Sequence, residues 1–303
     1  MPERKKYTDR VVFLTAVCSA GQVIGARMLQ DSIRLFTGSF CSSPLWIYTT
    51  RETETDCKAL ASGRTEIILL DIPEAARNAW FSGKVGACAQ AEKAASAGVE
   101  RLIWVSPDTL FFQPPHELDI KEGVDVAVRP VHITNVGLRA EQPLDVFWSG
   151  VYQVVGAEEV TQTVESFVDR QILRPYFNSH LVAVDPRRGL FQRWLEFFTL
   201  LAADEQYQRA ACDNVPHRVF LHQAVLSVLL AGVMAEERLL ILPPSYSYPY
   251  NLHDQIPQDR KAHSLNELVC AAVEDRKLDP DQITDIEIAE PLRSWLSQHC
   301  QKC

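Results

Sequence analysis

The order of its apolar runs narrows what this chain can fold into more than any other feature. A β-branched run, Val11 to Val17, leads into a segment from about Gly21 to Phe36. Its apolar residues, Val23, Ile24, Met28, Leu29, Ile33 and Leu35, recur at helical spacing. Two more short runs follow, PLWIYTT (44–50) and TEIILLD (65–71), then a helical stretch from about 79 to 97 and the run Leu102-Ile103-Trp104-Val105. Strands that alternate with helices over short connections pair in parallel, with helices on both faces. This predicts an α/β fold with a mostly parallel central sheet flanked by helices.

Ligands of such sheets gather beyond the carboxyl ends of the strands. Three ends therefore line one expected cleft: Ala16-Val17-Cys18, Asp71, and Ser106-Pro107-Asp108. Further along, VDVAVRP (124–130) and NSHLVAVD (178–185) read as strands, and Pro186 begins an amphipathic helix through Trp194 and Phe198. A helix spans about 219–233, and 239–253 reads as a short strand and an irregular loop rich in proline and tyrosine. No repeat or low-complexity linker divides the chain. The expected organisation is one domain over 1–256 with a C-terminal extension, 257–303, packed on it.

Composition excludes several classes. A formal charge of −9 argues against a nucleic-acid surface, which needs a basic face. No run reaches the roughly 18 apolar residues of a membrane span, so no integral membrane segment is expected. The start carries charge and no cleavage pattern, and eight scattered cysteines read as reduced thiols, which together predict a cytoplasmic protein. The one CxxC spacing, HCQKC (299–303), lacks the second pair that zinc needs and reads as a frayed end. Gly21 to Gly25 lacks the G-x-G-x-x-G spacing, and there is no P-loop, no G-x-S-x-G and no lysine-containing glycine-rich loop after the first strand. Nucleotide-sugar chemistry remains as the main α/β option.

Four segments occur in a telling order: AWFSGKVGACAQAEKAASAGVERLIWVSPDTLFFQPP (79–115), YFNSHLVAVDP (176–186), HQAVLSVLL (222–230) and LPPSYSYPYN (242–251). Over most of residues 11–253 this order resembles the glycosyltransferases of the GT-A (nucleotide-diphospho-sugar transferase) fold, especially those similar to family 8. The resemblance implies transfer of a hexose from a nucleotide-sugar donor, such as a UDP-sugar, to an acceptor that the sequence does not name. It implies Asp108 as direct ligand of Mn²⁺ or Mg²⁺, with Ser106 standing where the family's first Asp reaches the ribose. It further implies Lys84 as the basic residue that holds the nucleotide, Asn178 as a contact to the donor sugar or its phosphate, and His222-Gln223 in place of an Asp-Gln pair at the sugar. His253 stands as the third metal ligand, with His263 as its competitor. Where the family has a glycine this chain has His180.

Two readings come from the residues alone. Arg129, His132, Thr134 and Asn135 concentrate polar groups after a strand and are expected on the acceptor side of the cleft. Residues 146–152 (VFWSGVY) and Tyr246, Tyr248 and Tyr250 offer either core packing or faces on which a sugar stacks. Because Ser106, His180 and His222 all depart from the family pattern, the alternative to a transferase is a nucleotide-sugar or carbohydrate binding protein on the same fold.

Overall fold

A computed structural model of the chain describes residues 10–119, 123–158, 162–233, 236–274 and 278–300. The first half runs β1 (Val11–Val17), α1 (Gly21–Phe36), β2 (Leu45–Thr49), α2 (Glu54–Lys58), β3 (Thr65–Leu69), α3 (Ser82–Ala94), β4 (Arg101–Val105), β5 (Thr109–Phe111) and β6 (Val126–Pro130). The second runs α4 (Val146–Val155), β7 (Val164–Glu165), β8 (Ile172–Leu173), β9 (Phe177–Val184), α5 (Leu190–Ala203), α6 (Glu205–Ala211) and α7 (Val215–Val233). It ends with β10 (Leu239–Ile241), β11 (Tyr248–Pro249), β12 (Cys270–Ala272) and α8 (Leu292–Cys300).

The central sheet has the order β10-β6-β9-β4-β1-β2-β3. All its pairings are parallel except those of β9, which runs against both β4 and β6. That single reversal decides which strand ends are neighbours. It sets the first residues of β9 beside the carboxyl ends of β4 and β6, and its last residues beside their amino ends. Every residue of β1 is buried, as expected of a strand covered on both faces. Leu14, Trp104 and Val182 pack with α3, α5 and α7 on one face, and Phe13, Ile103 and Leu181 with α1 on the other.

A smaller sheet orders β11-β12-β5, so residues beyond 257 supply its middle strand, with Ala272 opposite Thr109. Leu110, Tyr248, Leu268 and Trp295 close an apolar cluster there. The ring of Trp295 in α8 meets Phe36 of α1 edge-on at 5.3 Å, and His299 Nε2 lies 3.2 Å from Asp31.

Some expectations are corrected. The helix read from Pro186 begins at Leu190, because Pro186–Arg188 forms one 3-10 turn and Gly189 adopts a left-handed φ of 63° before α5 starts. The stretch read as an irregular loop after Ile241 contains β11 and a 3-10 helix, Tyr250–Gln255. Phe147, Trp148, Tyr246, Tyr248 and Tyr250 are all buried, so they pack the core and offer no face to a sugar. Among the described residues no helix is long and apolar enough to cross a membrane, and six cysteines are free thiols. Residues 1–9 and Cys303 lie outside the described residues.

Candidate functional site

A cleft of about 730 Å³ opens at the carboxyl edge of the sheet. Ala16 and Cys18 line it from the end of β1, Asp71 from β3, Ser106 and Pro107 from β4, and Lys84 from the first turn of α3. The three strand ends picked out by their apolar runs therefore do meet in one place.

The turn bearing Asp108 is held from three sides. Ser106 N–H donates to the His180 carbonyl at 2.8 Å, and Val273 N–H donates to the Asp108 carbonyl at 2.9 Å. On the third side α1 comes so close that a Cβ on Gly25 would lie 2.6 Å from the Pro107 carbonyl oxygen. Only glycine permits that approach. Gly25 thus serves helix packing and not a dinucleotide loop.

Lys84 enters the cleft through an unusual turn. Phe81, just before α3, has φ 61° and ψ 15°, a left-handed conformation that costs a non-glycine residue about 1–3 kcal/mol. Its half-exposed ring lies 4.4 Å from that of His222 and 4.7 Å from Lys84 Nζ. The buried ammonium donates to Ser179 Oγ at 3.0 Å and lies 3.4 Å from His222 Nε2. His222 Nδ1 sits 2.9 Å from the Val219 carbonyl, which makes Nδ1 the protonated nitrogen and leaves the Nε2 lone pair toward Lys84. Ser179 Oγ in turn donates to Gln223 Oε1 at 3.1 Å. Burial pushes Lys84 down to about 8, against the pull of Asp108, Cys88 and Glu274, which raise it. Burial, with Lys84 adding to it, holds His222 well below the ordinary imidazole range, so it is neutral.

A second polar group adjoins Asp108. Asn178 Oδ1 accepts from His180 N–H at 2.7 Å, while Nδ2 lies 3.4 Å from His132 Nδ1. The His132 and His180 rings stack at 5.9 Å, and His180 Nε2 lies 3.3 Å from Glu274 Oε1. Glu274, itself at φ 45°, accepts from Asn251 Nδ2 at 2.7 Å. Asp108 Oδ1 is buried without a hydrogen-bond partner. Burial holds His180 below its ordinary value, Asp108 opposing the shift and Lys84 adding to it.

No protein-family model and no curated protein matches this sequence. Solved structures do. The galactosyltransferase LgtC, in complex with donor and acceptor sugar analogues, aligns over 96% of this chain and 95% of that chain at 8% identity, with a TM-score of 0.57. An active-site mutant of LgtC aligns over 96% and 94% at 9% identity, with a TM-score of 0.54. Mouse xyloside xylosyltransferase 1 aligns over 88% and 98% at 12% identity, with a TM-score of 0.47. The chain has the GT-A fold.

Within this GT-A cleft the expected residues divide. Lys84 and Ser106 line it, Asp108 follows the lining residue Pro107 with its Oδ1 buried, and His222 and Gln223 converge on Lys84 and Ser179. Asn178 is buried in β9 opposite Arg129 of β6, and both ends of its amide are engaged, within β9 and by His132. Arg129 is elsewhere. It is buried, donates to the Leu242 carbonyl at 3.2 Å and stacks on Phe167, which corrects its expected acceptor-side role. Asn135 is exposed in a left-handed turn (φ 47°) whose neighbour Thr134 is tied to Asp169, so it too is a loop residue.

His253 also requires correction. It is wholly buried, with Nδ1 2.8 Å from the Tyr248 hydroxyl and Nε2 3.0 Å from the Asp285 carbonyl. Both ring nitrogens are engaged, and no lone pair remains for a metal. Its competitor His263 contributes a backbone carbonyl to Glu287. Of the expected ligands only the unpartnered oxygen of Asp108 suits a hard cation. Mg²⁺ is commonly held by one or two carboxylates together with waters and substrate phosphates; here Asp108 stands without a second protein ligand, and the described residues contain no group of three or more His, Cys, Asp or Glu placed to hold an ion. The expected pair of Asp108 and His253 therefore does not form, and Asp108 alone of it remains.

Ser179, Phe81 and Glu274 were missed. Ser179 alternates with Asn178 and His180 and reads as strand filler, and nothing local announces the left-handed turn at Phe81. Glu274 did carry a signal: the apolar run Val269–Val273 ends in an acid, the pattern that singled out Asp108.

Proposed function

We propose that this chain is a glycosyltransferase that moves a hexosyl group from a nucleotide-sugar to an acceptor hydroxyl. The observation that carries the proposal is a buried ammonium, Lys84, opening onto a cleft at the carboxyl ends of a GT-A sheet. At an effective dielectric near 20, unit charges 4 Å apart interact by about 4 kcal/mol, against about 0–1 kcal/mol for exposed pairs. Lys84 is therefore the main anchor for a diphosphate, and the exposed Arg51 and Arg77 on the cleft wall guide it in. Ser106 offers a hydroxyl for a ribose, and Phe81 over His222 forms a face for the sugar. In the reaction the acceptor oxygen bonds to the anomeric carbon, the bond to the diphosphate breaks, and the acceptor proton leaves with the phosphate oxygen. Incubation with a panel of nucleotide-sugars should release free nucleotide from at least one donor and raise the melting temperature. If no donor is turned over and none shifts the melting point, the proposal fails.

A second reading, a binding protein on the same fold, has one observation in its favour. The His180 ring, stacked on buried His132, fills space beside Asp108 where the family pattern has glycine. Thermal stabilisation by a nucleotide-sugar without any nucleotide release would favour it.

A further inference from the structure

Buried charges in proteins are paired or hold a ligand, because an isolated charge is costly to remove from water. Lys84 departs from that pattern. Its ammonium touches two neutral acceptors, Ser179 Oγ and His222 Nε2, and among the described residues no carboxylate lies within ion-pair distance of it. Two further sides are aromatic: Phe81 at 4.7 Å and Trp104 at 5.8 Å from ring centroid to Nζ. Ring faces favour a cation but do not neutralise it. The carboxylates that act on Lys84 do so from beyond ion-pair distance. Glu274 is held by His180 and Asn251, and Asp108 acts on Lys84 only through its field. The cleft wall adds Arg51 and Arg77.

We infer that Lys84 is the cation that neutralises the leaving diphosphate, taking the part the resemblance gives to Mn²⁺ or Mg²⁺, so that donor binding requires no metal. The inference rests on the donor-binding reading above. As the bond from the anomeric carbon to the diphosphate breaks, its electron pair passes to a phosphate oxygen. The fixed charge of Lys84 meets that oxygen without a rearrangement of ligands. A neutral His222 is what leaves the charge available, since a carboxylate in that place would close an ion pair with Lys84.

The test is calorimetric titration with UDP, GDP, ADP and CDP, each in EDTA and in Mn²⁺. At least one should bind in EDTA, with Mn²⁺ changing its affinity by less than about threefold, a small step on the free-energy scale. Lys84→Met should weaken that nucleotide by about 10–100-fold, the range for a lost hydrogen bond to a charged group, and should weaken the monophosphate less. Asp108→Asn should leave a nucleotide bound in EDTA, because on this inference no metal held by Asp108 is needed. Binding that needs Mn²⁺, is lost in Asp108→Asn and survives in Lys84→Met would overturn the inference and leave the donor reading standing. Failure of all four nucleotides in both conditions would remove the donor reading and this inference with it. The EDTA comparison needs no variant, so a poorly folding Lys84→Met cannot shield the inference.

Discussion

The two ends of β9 carry buried charge in opposite ways. Beyond its last residue Asp185 is almost wholly buried and bound by Arg187 Nε at 2.8 Å, with Arg101 at 3.7 Å. Burial pushes that carboxyl up, but the Arg187 hydrogen bonds and the charges of Arg187 and Arg101 hold it below the usual range. Adjacent Asp125 is bound by Arg238 Nε at 2.6 Å and by Arg188 at 2.8 Å. At the other end Ser179 meets an ammonium that has only neutral partners. Burial alone therefore does not separate a neutralised charge from an unneutralised one. The charge of the neighbours does.

This contrast is open to attack by mutation. Asp125→Ala should lower unfolding free energy by about 2–4 kcal/mol, since it strands two guanidinium groups that are themselves partly hydrated. Urea denaturation would read it, and a loss well under 1 kcal/mol would mean the paired end is not built for stability. Lys84→Met should move the other way and stabilise the ligand-free protein at pH 7 by about 1–3 kcal/mol. The folded-state value of Lys84, about 8, lies below the unfolded value of roughly 10.4, so between these the unfolded chain holds a proton that the native one has released. Wild-type stability from this group therefore rises with pH across that window. The advantage of the methionine variant should be full below pH 8 and vanish toward pH 10.4, as melts at several pH values would show. The smallest effect belongs to charges on neither end: Arg209→Gln, which breaks an exposed pair with Glu205, should stay within about 0.5 kcal/mol of wild type.

The strands and the converging strand ends were legible because burial on both faces demands apolar runs, which β1, β2 and β4 supply, and the edge strand β3, though only partly buried, still carries Ile67-Ile68-Leu69. The reversal of β9 was not, since an apolar run is the same read in either direction. Of the residues picked out by motif order, Lys84 and Ser106 line the cleft, while His222 and Gln223 reach it only through their contacts with Lys84 and Ser179. His253 and Arg129 misled for a shared reason. Their partners, the Asp285 carbonyl and the ring of Phe167, lie 32 and 38 residues along the chain, beyond any local pattern. The GT-A architecture was thus readable, whereas the commitment of each polar atom depended on tertiary neighbours.

The pairing of β12 with β5 also has a consequence in time. Thr109 and Ala272 are neighbours across that ladder, so roughly 160 residues must leave the ribosome after β5 before its partner exists. At about 5–20 residues per second that delay is on the order of 8–30 s. Closing so long a loop is also a slow kind of contact. Because Val273 follows β12 directly and braces the Asp108 turn, the parallel half of the sheet can assemble well before that edge of the cleft does. A nascent chain would accordingly hold a folded core and an unfinished cleft, and the completed cleft would arrive as a late, separate event.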